Sequence, residues 1–236
     1  MIPNLSTRNR QDEWMDRPGV DANALRDSLR FIRRVNSLLG YTRATISHLE
    51  RFSRRWQRHQ VIRIVDFATG SADVPLAILR WADEKKWQVR VVAIDLHPIT
   101  SHIAEEEAIR DQRLSILRAD ALATPFADGS FDYALTAMFL HHLDETDAIR
   151  VLKEMSRVAR RGVIAADLVR NRRAYRWISL FTMFASEMVR HDARVSVAQA
   201  FSRDEVLAMR DAAGIRYARY YPHFGHRFVL AGEKSP

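Results

Sequence analysis

The sequence predicts an α/β fold: a doubly wound, mostly parallel sheet of about seven strands with an antiparallel C-terminal strand, preceded by an N-terminal helical cap. Three observations carry that reading. From residue 61, short β-rich runs alternate with helical periods, at 61–66, 74–86, 89–95, 98–110, 114–118, 131–136, 148–159 and 162–167. Strand, helix, strand at this spacing builds parallel βαβ units with helices on both faces. Two further β-rich runs, 215–222 and 227–231, flank His223-Phe224-Gly225-His226 and read as a hairpin, which gives a parallel sheet an antiparallel edge. Residues 21–60 carry helical periods and have no place in the sheet.

Residues 1–20 are polar, with Pro3, Pro18 and Gly19, and are expected to form a loose arm. In the cap, 21–60, apolar residues Leu25, Leu29 and Ile32, then Asn36 and Leu39, recur at helical spacing until Gly40 breaks the run. An Asn on an apolar stripe needs hydrogen-bond partners, either a neighbouring backbone or a polar pocket. A second helix aligns Ile46, Leu49, Phe52 and Trp56, with Arg51, Arg54, Arg55 and Arg58 largely off that face. The rest, 61–236, reads as one domain. Its helix at 203–213 has Ser202 as N-cap and Gly214 as stop. The connection 169–201 is long enough to hold a helix of its own and is expected to act as a lid.

Charge is unevenly spread. The chain of 236 residues carries 37 Lys+Arg against 29 Asp+Glu, a net of +8, but residues 1–60 alone hold 12 Arg and 6 acids, so the remainder is close to neutral at +2. Only Lys85, Lys86, Lys153 and Lys234 are lysines, so the excess is arginine, which base composition of the gene explains as readily as recognition. The absence of cysteine excludes disulfides, thiolate metal sites and a Cys nucleophile; no metal is expected. The start lacks the apolar core of a secretory signal, and the longest apolar stretch, 177–189, is interrupted by Glu187, so a soluble cytoplasmic protein is expected.

The first strand runs into Asp66-Phe67-Ala68-Thr69-Gly70-Ser71-Ala72-Asp73. Small residues at 68, 70 and 72 between an apolar strand and a helix let a ligand approach the backbone at the C-terminal edge of a parallel sheet. The second strand ends in Asp95, placed to accept hydrogen bonds from both hydroxyls of a ribose. A nucleoside-type ligand follows. A third acidic turn, Asp120-Ala121, comes after the third strand.

From here the chain closely resembles the class I S-adenosylmethionine-dependent methyltransferases. The resemblance rests on Asp120-Ala121, Pro125-Phe126, Ser130-Phe131-Asp132 leading into the fourth strand, and Met138-Phe139-Leu140-His141-His142 at its end, in that order. The loop 68–73 is most similar to the ubiquinone and menaquinone biosynthesis branch. The resemblance implies a Rossmann-like fold and S-adenosylmethionine as cofactor, with Asp66 near its amino-acid end, Gly70 beneath it, Asp95 at the ribose, and Asp120 with Ala121 at the adenine. Ala68, Thr69, Ala72, Leu96 and Met138 complete the implied cofactor set. The family usually has glycine where this chain has Ala68 or Ala72, and alanine is compatible with close approach if its φ is negative. Arg160-Arg161-Gly162 stands where the family often has Lys-Pro-Gly-Gly, in a turn without chemistry.

Methyl transfer from a sulfonium needs positioning, water exclusion and, for a protonated nucleophile, a base. A phenol titrates near about 10 and imidazole near about 6.5, so a histidine can assist deprotonation at neutral pH. Candidates are His141, His142, His223 and His226, the first two preferred; a purely structural role for both is the alternative. Phe139, His142, Arg170, Tyr175 and His223 are expected to meet the acceptor, and Trp14, Asn36 or Tyr41 to reach the cleft from the cap. The lid residues Trp177, Ile178, Leu180, Phe181, Met183 and Phe184 suit a small hydrophobic or aromatic acceptor, phenolic, polyketide-like or quinone-type, methylated at oxygen rather than carbon. Transfer to RNA is the runner-up, prompted by the arginines of 1–60, yet no RNA-binding motif is present and the Asn/Asp-Pro-Pro-aromatic signature of N-methylation is missing. A third reading is a membrane-surface binding protein, with 170–176 and the apolar helix after it lying on anionic lipid.

Overall fold

The computed structural model describes residues 3–17, 19, 21–38 and 40–235. Pro18, Leu39 and the side chains of Ile32 and Asn36 lie outside the described residues.

Seven strands form one sheet: β1 Val61–Phe67, β2 Gln88–Asp95, β3 Leu114–Arg118, β4 Phe131–Ala137, β5 Ala159–Leu168, β6 Arg219–His223 and β7 Arg227–Glu233. Their order is β3-β2-β1-β4-β5-β7-β6. The first five pair in parallel, whereas β7 runs antiparallel to both β5 and β6. The helices are α1 Ala22–Leu38, α2 Tyr41–Ser53, α3 Asp73–Lys85, α4 Pro98–Ala108, α5 Glu145–Val158, α6 Arg172–Phe181, α7 Glu187–Gln199 and α8 Arg203–Ala212. β4 is buried at nearly every position, as a central strand covered on both faces must be. One layer packs Ile64, Leu135 and Ile164 with α2 and α3; the other packs Val65, Ala134 and Val163 with α5 and α8.

Local chemistry explains several boundaries. α5 begins earlier than the apolar period suggests because Asp144 accepts from the Asp147 N–H. α8 starts on a full capping box between Ser202 and Glu205. The lid holds two helices rather than one: Asn171 caps α6 and Ser186 caps α7. β6 is shorter than 215–222 because residue 215 is still in the turn after α8, where its buried side chain packs into the core and its carbonyl accepts from the Ala218 N–H.

Residues 5–15 are not loose. Leu5 and Glu13 are buried, the Asn9 N–H donates to Ala198 O at 3.2 Å, and Asp192 accepts from the N–H groups of Trp14 and Met15 at 2.8 and 3.1 Å. Arg8 donates to Gln199 O, His141 O and Leu143 O and stacks over Phe201. A strap that carries this many hydrogen bonds is part of the wall it crosses. The cap is likewise tied down by its arginines: Arg26 pairs with Glu106, Arg33 with Glu107 and Arg55 with Glu233, while Arg58 lies over Trp87.

Candidate active site

β1 and β4 lie side by side while the chain leaves them toward opposite edges of the sheet, and a crevice opens at that switch point above the strand ends. The crevice is a cavity of about 510 Å³, roofed by the strap, α1, α6 and α7. Asp66, Ala68, Thr69, Gly70, Asp95, Leu96, Asp120, Ala121, Met138, Phe139, His141 and His142 all line it, and so does Tyr41.

At one end, Asp95 is held by the Gly70 N–H at 2.9 Å and the His97 N–H at 3.0 Å, so the β1 loop and the β2 end share one carboxylate. Asp120 is exposed and accepts from the Leu122 N–H at 2.8 Å. Asp66 is buried; burial pushes its carboxyl up to about 7, against the Thr69 hydroxyl and with help from Asp73 and Asp95. Burial also raises Asp73, opposed by Arg33 from α1. Arg33 Nε is buried without a hydrogen-bond partner, Asp66 Oδ1 and Thr69 Oγ1 have no well-formed bond although the two side chains adjoin, and all three residues line the cavity. A buried polar atom without a partner is costly and points to a ligand that supplies one. An acceptor and a donor of this kind match the ammonium and carboxylate of an amino acid.

The loop departs from expectation in its dihedrals. Ala68 and Ala72 have φ of +54° and +56°, and Met138 on the neighbouring strand end has +57°. The left-handed region costs a non-glycine residue roughly 1–2 kcal/mol, and here it is occupied three times around one crevice. Met138 is held there by its N–H, which donates to Ala166 O and to the Tyr41 hydroxyl; that hydroxyl in turn donates to Ala166 O. Tyr41 thereby pins α2 to the ends of β4 and β5.

At the other end sit the histidines. His141 is buried, with Nδ1 2.6 Å from Asp167 Oδ1 and its N–H donating to Asp167 Oδ2 at 3.0 Å. Asp167 also accepts from the Leu168 N–H, so backbone and side chain fix this carboxylate. His141 Nε2 lies 3.7 Å from Glu13 Oε1, and His142 Nδ1 4.0 Å from it. The two imidazoles are 4.2 Å apart. Glu13 Oε1 accepts from Ser196 Oγ at 2.6 Å and Gln199 Nε2 at 2.9 Å. The ligand atoms of Glu13, His141 and His142 lie within 4.8 Å of one another, near enough to share a cation, but the hydrogen bonds already on Glu13 fit a proton-handling cluster as they stand.

Six of the expected residues fall elsewhere. Ala72 has its methyl in the core at the start of α3 and shapes the loop from behind. Arg170 is buried in a structural knot, donating to the Glu205 carboxylate, Ala200 O and Leu5 O. Tyr175 faces a separate groove beside the strap, shared with Trp14 and His191. His223 lies 3.1 Å from His48 of α2, and neither it nor His226 lines the cavity. Trp14 stacks on His191, leaving its neighbours Glu13 and Met15 to face the crevice. The residues not anticipated are Glu13, Arg33 and Asp167. An acid at the end of a parallel strand, the signal that picks out Asp95, also marks Asp167; Glu13 and Arg33 carry no local signal.

Comparison with known proteins agrees with this geometry. Residues 65–166 match the model of the methyltransferase domain family. The chain is 34% identical over 106 residues to a demethylmenaquinone methyltransferase of Roseiflexus sp. (strain RS-1), covering 45% of this chain and 42% of that one. It is 34% identical over 117 residues to a demethylmenaquinone methyltransferase of Thermus thermophilus, covering 46% and 50%. The chain thus spans about half the length of the curated relatives it matches. Among solved structures, an S-adenosylmethionine-dependent methyltransferase from Aquifex aeolicus superposes with a TM-score of 0.57 at 19% identity, over 78% of this chain and 88% of that one. The fold is therefore Rossmann-like, as in solved S-adenosylmethionine-dependent methyltransferases, and residues 65–166 are similar to the methyltransferase domain family. The orphaned groups around Asp66 and Arg33 and the locked Asp95 fit that cofactor.

Proposed function

We propose that the protein transfers a methyl group from S-adenosylmethionine to a small hydrophobic or aromatic acceptor bearing an acidic hydroxyl. The observation that carries this is His141, held by Asp167 and facing a crevice whose opposite end carries the cofactor-type acids. Bound S-adenosylmethionine supplies a methyl on a positively charged sulfur, already activated for in-line displacement.

The protein's own residues do the rest. Asp95 takes the ribose hydroxyls, Asp120 and Ala121 border the adenine, Asp66 takes the ammonium and Arg33 the carboxylate. Four acids at this end favour a cationic ligand. Asp167 holds the His141 Nδ1 proton, leaving Nε2 as the acceptor for the hydroxyl proton. With that proton on Nε2, the acceptor oxygen would be left as the nucleophile facing the methyl group that bound S-adenosylmethionine would supply. Glu13 faces the charged imidazole and stabilises it. Met15, Leu25, Leu29, Phe31, Phe139 and Ile178 give the acceptor an apolar wall and exclude water.

A second reading has one observation in its favour, the names of the two curated relatives. A phenolate is nucleophilic at ring carbon as well as at oxygen, so the same proton removal serves C-methylation of a quinone precursor. Transfer of a ¹³C-methyl to phenol and hydroquinone acceptors, read by NMR, separates them. An O-methyl resonance near a phenolic ring supports the first reading, a ring-methyl resonance the second; transfer to RNA alone overturns both.

A further inference from the structure

The outer side of the lid carries a surface that the reaction does not use. Around the C-terminal end of α6, Leu180, Phe181, Met183 and Phe184 are exposed, Phe184 by 93% and Leu180 by 69%. Thr182, between them, is buried and lines the crevice, as does Ile178 one turn earlier. The same turn is therefore the wall of the cavity on one side and an apolar tip on the other. The β6–β7 turn adds Phe224, 81% exposed, and it lies alongside because Trp177 stacks on Phe181 and meets His226 edge-on.

The charge next to this tip is one-signed. Arg172, Arg173 and Arg176 are exposed on α6, and no acidic residue occurs from 169 to 186. None of the three forms an ion pair among the described residues, in contrast to Arg26, Arg33 and Arg55 of the cap, each of which faces a glutamate. No described helix is long and apolar enough to cross a membrane. A short helix with a protruding aromatic end and arginines behind it fits an interfacial position, rings at acyl-chain depth and guanidinium groups among phosphates.

We propose that the α6 tip and the β6–β7 turn dock on an anionic lipid bilayer, the tip inserting and Arg172, Arg173 and Arg176 meeting phosphate headgroups. The charge pattern selects this occupant over an uncharged apolar face. Docked in this way, the wall formed by Ile178 and Thr182 lies at the bilayer surface, so an apolar acceptor dissolved in lipid passes into the crevice without crossing water. That last step rests on the proposed function; the docking does not.

Vesicle flotation tests it, with phosphatidylcholine alone and with phosphatidylcholine plus phosphatidylglycerol. The full chain floats with the anionic vesicles, and added salt releases it. Leu180→Asp with Phe184→Asp abolishes flotation, and Arg172→Gln with Arg173→Gln weakens it by about thirty-fold. All four residues are exposed, and calorimetry with S-adenosylhomocysteine on the same samples reports the cofactor end separately, so loss of that binding counts against the functional reading and not the docking. Flotation that is absent, equal on neutral vesicles or retained in both variants overturns the proposal. A self-association seen by analytical ultracentrifugation that the Asp variant dissolves while vesicle binding stays overturns it in favour of a second copy of this chain.

Discussion

The two ends of the crevice are built differently. The end proposed for the cofactor comes from consecutive turns after β1, β2 and β3, each a few residues long. The end proposed for the acceptor gathers Glu13 from the strap, His141 from the turn after β4, Asp167 from β5 and Ser196 and Gln199 from α7, with hydrogen-bonded partners up to 186 positions apart. A site made of local turns has its chemistry written in contiguous residues. A site assembled by tertiary packing can change one contributor without disturbing the other end, and this separation makes the two halves testable apart.

The largest expected effect lies at the acceptor end. His141→Ala lowers turnover by about 10²- to 10⁴-fold while leaving affinity for S-adenosylhomocysteine unchanged by calorimetry. Equal losses in both would mean the two ends are one mechanical unit. At the cofactor end, Asp95→Ala removes the acceptor for two backbone N–H groups as well as the ribose contact. Affinity for S-adenosylhomocysteine falls by at least about ten- to a hundred-fold, which is the worth of one charged hydrogen bond at about 1.5–3 kcal/mol, and tight binding by this variant would remove Asp95 from the ribose.

Asp66 sharpens the contrast through pH. Its folded pKa of about 7 lies above the ordinary 3.8. The folded protein therefore holds this proton more tightly than the unfolded chain: the Asp66 contribution disfavours folding above pH 7 and is relieved as pH falls from about 7 toward 4. Ligand binding has the opposite sign, because a ligand ammonium needs the ionised carboxylate, so affinity weakens as pH falls through about 7. Asp66→Asn flattens both profiles; a wild-type affinity constant from pH 8 to pH 6 would contradict the assignment. The smallest effect belongs to Ala68→Gly, which relieves a positive φ but gives the unfolded chain more freedom. Chemical denaturation should find a change between zero and about 1 kcal/mol in the stabilising direction, and clear destabilisation would mean that the methyl packs more than the backbone strains.

The same contrast explains what could be read from the sequence. The parallel sheet with its antiparallel edge follows from periodicity and Asp95 from its place at a strand end, which are local signals; Asp66 and Asp120 follow from the family resemblance, whose motifs are contiguous. The dihedrals of Ala68 and Ala72 contradict the expected negative φ because the turn geometry, not the side chain, sets them. Arg170, Tyr175 and His223 belong to elements near the crevice but point away from it, and orientation within a lid depends on what packs beneath. Glu13 sits in a segment without periodicity, whose order comes from Asp192 and Gln199 far along the chain. Asp167 was readable by the rule that found Asp95, applied to the fifth strand.

The Asp167 carboxylate at the end of β5 is proposed to orient His141 for proton removal and to have no part in holding the cofactor. Single-turnover methyl transfer by Asp167→Asn, with S-adenosylhomocysteine affinity and thermal stability measured on the same preparation, tests it most directly. A folded variant with cofactor affinity unchanged and methyl transfer slowed by at least about a hundred-fold is the predicted result; methyl transfer at the wild-type rate would contradict it.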